Sequence, residues 1–176
     1  MDEQRKREEL IGAHVNMRVH LYRIIDGLTE EILLKEISDE ENYPHVLSII
    51  AHIGIAETYW FHKANHDIGP KFSIETFEEV RVKLEDNTER IKRVVETCSQ
   101  DQLRIIPPSE ERGPSVAWCI LRTYQHGLYH SGQISKIRHM IDAPLLQILL
   151  ILGVLLWILS LNFFANYGAN SKIICR

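Results

Sequence analysis

Apolar residues recur at helical spacing in four separate stretches of this chain, and no stretch alternates them as a half-buried strand requires. The first stretch carries Leu10, Ile11, Val15, Leu21, Ile24, Ile25 and Leu28 with charged residues between them. Thr29 then caps a short helical turn, and an acidic loop from Ser38 to Asn42 leads to Pro44, a residue suited to the start of a helix. The second stretch, with Val46, Ile49, Ile50, Ile53 and Trp60, runs to about Ala64 before the breakers Gly69 and Pro70. Ser73 is an N-cap for a third helix from about Ile74 to Thr97, whose outer face is rich in Glu, Lys and Arg. A long connection stopped by Pro107, Pro108, Gly113 and Pro114 precedes a fourth helix over Ser115 to Ile141. Four long amphipathic helices predict an all-α, up-down four-helix bundle.

Residues 1–142 are read as this bundle, and 176 residues leave little for a second core. Residues 143–176 form a different segment, because Pro144 to Ala169 holds no charged residue and is dominated by Leu and Ile. An apolar run of that length is expected to form an extra C-terminal helix, with membrane anchoring as one reading. Lys136, Arg138 and His139 before it would keep the bundle on the cytoplasmic side. Packing on the bundle and a non-native terminus are the competing readings, with Gln147, Ser160, Asn162 and Asn166 interrupting the run.

A net charge of -4 with mixed signs leaves no basic stripe for phosphates, so nucleic acid is not an expected partner. Cys98, Cys119 and Cys175 are odd in number and widely spaced, which suits free thiols in a reducing compartment. The charged opening Asp2 to Lys6 has no apolar signal core, so a cytoplasmic location is expected.

Nine histidines are too many for composition to choose ligands, so position must. His126 and His130 lie one turn apart and about 40° apart around a helix, both within a stripe of Val116, Cys119, Thr123, Ile134, Ile137 and Ile141. Two imidazoles inside a core need partners, and a divalent cation satisfies both while keeping them neutral. A hydrogen-bonded structural pair is the plainer alternative. His52, at the edge of the second apolar face, is the natural third donor, while His45 and His14 remain competitors that spacing does not exclude. Three imidazoles suit zinc, nickel or iron and leave coordination positions open. Glu57 lies about 140° around the helix from His52 and is not expected at the cluster. Cys119 is expected in the core.

The stretch Tyr124-Gln125-His126-Gly127-Leu128-Tyr129-His130-Ser131-Gly132-Gln133-Ile134 resembles the H-x-x-x-H-x-G-Q-[IL] signature of the DinB/YfiT-like superfamily. Leu47 to Trp60, an apolar run with His52, Glu57 and the aromatic pair Tyr59-Trp60, resembles the same family's second-helix pattern. The similarity spans roughly Leu10 to Ile141 and implies a DinB-like four-helix bundle, often a homodimer. It also implies a metal site on His52, His126 and His130. Beside them, Gln133 could orient a ligand or a bound water, and Gly132 is expected to admit a neighbouring helix. The activities implied are metal-dependent hydrolysis of a small-molecule substrate, or S-transfer with a low-molecular-weight thiol. A non-catalytic metal-binding bundle acting in assembly or membrane attachment is the alternative from another class.

Overall fold

The computed structural model describes residues 2–37, 43–69, 72 and 76–141. Asp2 opens α1 (Glu3–Ile25), its side chain accepting from the Gln4 backbone N–H. The helix thus begins well before Leu10, where the apolar spacing starts. Its first two turns are held by polar i,i+4 pairs, Gln4 to Glu8 at 2.9 Å and Arg5 to Glu9 at 3.0 Å, which a hydrophobic pattern does not reveal. Thr29 caps the short α2 (Glu30–Leu34), as its position suggested.

The helix α3 (Val46–Lys63) starts after His45, which is its N-cap. The His45 Nδ1 accepts from the Ser48 N–H at 3.0 Å, and the Ser48 hydroxyl accepts from the His45 N–H at 3.3 Å. This reciprocal box satisfies two end donors and occupies the His45 ring. Thr76 and Glu79 form a second such box ahead of α4 (Phe77–Thr97), so that helix begins three residues after the expected Ile74. The connection that follows contains a 3-10 turn (Gln100–Leu103). Ser115 pins it to the last helix, α5 (116–141), accepting from Ile106 N–H at 3.0 Å and Trp118 N–H at 3.2 Å. Among the described residues there is no strand, only an isolated bridge between Glu36 and His45. The all-α expectation holds.

The order of helix directions differs from a plain up-down succession. Arg7 on α1 reaches the Val95 and Cys98 carbonyls at the far end of α4, and Arg18 meets Thr88, so α1 and α4 are antiparallel. His52 lies against His126 while Cys119 donates its S–H to the Trp60 carbonyl, so α3 and α5 are antiparallel too. α3 and α4 then run the same way, giving up-down-down-up. The connection between them, residues 64–76, is long enough to return along the bundle, since each extended residue spans roughly 3.3–3.6 Å.

The core is two apolar clusters with a polar layer between them. One gathers Leu21, Leu47, Ile50, Leu84 and Ile134; the other gathers Phe61, Ile91, Val95, Val116 and Ile120. Between them sit His14, Arg18, Glu57, Asn87 and Thr88, all buried. Arg18 donates Nη2 to both Glu57 oxygens at 2.7 and 2.8 Å, Asn87 Nδ2 adds a bond at 3.3 Å, and Arg18 Nε reaches Thr88 at 3.3 Å. His14 Nε2 stands 3.9 Å from Glu57, but burial lowers its pKa to about 4, against a smaller pull upward from Glu57. At neutral pH His14 is therefore an uncharged neighbour, not an ion-pair partner.

The expectation that Gly132 admits a neighbouring helix is not met: open space surrounds the position where its Cβ would stand. Gly127 has that role instead. A Cβ there would fall 2.5 Å from the Met17 sulfur, so the missing side chain lets α1 and α5 approach. The chain divides into two units, Met1–Ile137 and Arg138–Arg176. The predicted C-terminal helix and membrane anchor of residues 143–176 lie outside the described residues. Among those described, no helix is long and apolar enough to cross a membrane.

Removing one member of the buried ion pair strands the other charge. Glu57→Leu is expected to cost about 3–5 kcal/mol in urea unfolding, with most of the loss recovered in the Arg18→Met/Glu57→Leu double variant. His14 gives a pH signature: it takes its proton near 6.5 when unfolded but only near 4 when folded. Its contribution is complete above about pH 6.5 and is lost as the pH falls toward 4. His14→Leu should therefore flatten the stability–pH slope in that window by up to about 1.4 kcal/mol per pH unit, measured by urea titrations at stepped pH.

Candidate metal centre

His52 stands in the second turn of α3, and His126 and His130 lie a turn apart on α5, which faces it. The antiparallel packing of these two helices makes the rings meet. His126 Nε2 is 3.1 Å from His52 Nε2 and 3.1 Å from His130 Nε2, and the three candidate donor atoms all lie within 4.8 Å of one another. Ring centroids are 4.4 to 4.9 Å apart; His130 meets the other two rings edge to face, and His52 and His126 are tilted, so the rings are not stacked. Nitrogens sharing one zinc at about 2.0–2.1 Å stand roughly 2.8–3.4 Å apart for bond angles of about 90° to 109°. The separations of His126 from His52 and from His130 fall in that range.

The electrostatics favour lone pairs over protons. Burial lowers the pKa of all three rings; for His126, whose value falls to about 4, the neighbouring His130 and His52 push the same way. For His130 a bond from Gln133 opposes the burial effect. Neutral imidazoles are the form that coordinates metal.

Gln133 takes the position its sequence spacing suggested. Its Oε1 is 2.7 Å from His130 Nδ1, and its Nε2 donates to the Tyr129 hydroxyl at 3.1 Å. An acceptor at Nδ1 fixes the proton there and leaves Nε2 with its lone pair directed into the cluster. The edge of the Tyr129 ring also meets His130, at a centroid distance of 5.1 Å.

The remaining candidates fall elsewhere. His45 caps α3, and His14 belongs to the polar layer with Glu57; neither is among the three converging residues. Glu57 is spent on Arg18, as its position around the helix suggested. Cys119 is fully buried, burial pushes its thiol up to about 12, and its S–H is directed at the Trp60 carbonyl, 3.3 Å away. It belongs to the core, as expected.

One residue at the cluster is missed by helix periodicity. Tyr43 precedes Pro44 in the segment ahead of α3, and its hydroxyl is 3.2 Å from both His52 Nδ1 and His52 Nε2. Its ring meets His52 edge-on at 4.8 Å and lies 6.0 Å from His130. The signal was an aromatic residue next to a helix start, too common to stand out.

No protein-family model and no curated protein matches the chain. The site therefore rests on its own geometry: three histidines close enough to hold a metal ion. Replacing Gln133 by Leu should leave α5 folded yet lower the affinity for zinc or nickel by about 10- to 100-fold, read by competition with a chromophoric chelator.

Proposed function

We propose that this chain is a metal-dependent enzyme of the DinB-like superfamily, using His52, His126 and His130 to hold one divalent ion, zinc, nickel or iron. The observation that carries the reading is the convergence of three imidazoles from two facing helices. A cation held there by three protein donors keeps a position open, and it would lower the pKa of a coordinated water toward about 7 or deprotonate a coordinated thiol.

The surroundings favour the thiol. Hydrolysis at such centres profits from a carboxylate base, and among the described residues the candidate nearest in sequence to His52, Glu57, is buried in its pair with Arg18. A low-molecular-weight thiol needs no separate base once its sulfur is deprotonated. Cys119 does not supply that thiol, being enclosed in the core with a raised pKa. S-transfer from a small thiol to an electrophilic small molecule is therefore the leading reaction, with hydrolysis second.

The outer side of α3 offers room for an apolar substrate. Ile55 and Tyr59, one and two turns beyond His52, line a cavity of about 380 Å³ with Thr58, His62 and Phe72. Ile55 and Tyr59 are both exposed. Such a volume lies at the lower end of small-molecule sites, about 300–1,000 Å³.

The test begins with metal content. The wild-type chain is expected to hold about one ion, and His52→Ala, His126→Ala and His130→Ala each to lose it. Retention of metal by all three variants would discard the centre. The loaded protein is then assayed with bacillithiol, mycothiol and glutathione against monochlorobimane, alongside a panel of esters and amides. Thiol-dependent turnover supports transfer, and turnover of the esters or amides alone moves the assignment to hydrolysis.

A further inference from the structure

Tyr43 has no part in the proposed metal set, yet its oxygen is as close to His52 as His52 is to His126. The hydroxyl is 3.2 Å from each ring nitrogen of His52. Equal distances place it off the line of either nitrogen's lone pair, since each lone pair points outward in the ring plane. The contact is thus a poor hydrogen bond to His52 and leaves Nε2 free to face the other two rings.

Two other hydroxyls near the cluster are engaged. The Tyr129 oxygen accepts from Gln133, and Thr123 donates to the Cys119 carbonyl at 2.9 Å. No carboxylate joins the three histidines among the described residues. Tyr43 is also firmly placed. The next residue's carbonyl, that of Pro44, accepts from the Ile37 N–H at 2.8 Å, and His45 both bridges to Glu36 and caps α3. The Tyr43 ring packs partly buried against the first apolar cluster.

We propose that Tyr43 is a further functional residue of this site, its hydroxyl held beside the three-nitrogen face as a hydrogen-bond donor to an anionic or lone-pair-bearing atom bound there. The inference rests on the metal reading above and adds to it. The atom it serves is a thiolate sulfur or a small anion on the open side of the histidines. The donor steadies that atom without contributing a ligand of its own. A purely structural tyrosine, by contrast, would support His52 by ring packing alone, and its oxygen would be dispensable.

Tyr43→Phe keeps the ring and removes the oxygen, so it separates these roles. Wild-type and variant chains are loaded with Co²⁺ and titrated with azide, with binding followed by the visible absorption of the metal. Both chains should take up Co²⁺ with affinities within about twofold, while azide binds the variant about tenfold more weakly, as loss of one hydrogen bond to a charged acceptor implies. Equal azide affinity in the two chains would overturn the role of Tyr43 while leaving the centre intact. A large loss of Co²⁺ affinity in the variant would also overturn it, making the hydroxyl a prop for His52. No Co²⁺ uptake by the wild-type chain would remove the metal reading and this inference with it.

Discussion

The Arg18–Glu57 ion pair, shut inside the bundle, is the constraint on which the other arrangements depend. Two charges without water are tolerated only with close geometry and further bonds, and here both Glu57 oxygens receive Arg18 while Asn87 adds a bond to Glu57 and Thr88 one to Arg18. Those partners come from α1, α3 and α4, so each helix is fixed in rotation and height against the other two. A rotation of α3 by even one residue, about 100°, would pull Glu57 out of the pair and His52 away from His126. The polar layer thus defines the register in which the histidines meet.

The two faces of α3 divide the electrostatic labour. On one side a carboxylate is paired with a guanidinium; on the other, burial and then the neighbouring His130 lower the pKa of His52. Glu57 faces away from the cluster. Its effect on His126 is upward but is the smallest of the influences acting there.

Much of the fold was legible because its cause is local and repetitive. The periods of Leu47, Ile50 and Ile53, and of Cys119, Thr123, His126 and His130, announce buried helix faces directly. The start of α1 was not legible, since its first turns rest on charged pairs and on Arg7 capping the end of α4, a contact across 88 residues. The directions of α3 and α4 likewise depend on where a connection returns, which periodicity does not encode. At the site, His126, His130 and Gln133 share one helix and could be grouped by spacing. Face position made His52 the natural third donor, but only the family resemblance or coordinates separate it from His45 and His14. Tyr43 lies outside any regular element, and Gly127, not Gly132, proved to be the close approach because the deciding neighbour, Met17, is far away in sequence.

All three candidate donors are carried by long helices, none by a loop, and the helices are locked by a salt link that has nothing to do with metal. The cluster is consequently assembled before any ion arrives. In small zinc domains the cation organises an otherwise unfolded chain, so loading and folding are one event. Here the scaffold bears the organisational cost in advance, so an ion held by the three histidines would come, go or be exchanged for another without the bundle dissolving around it.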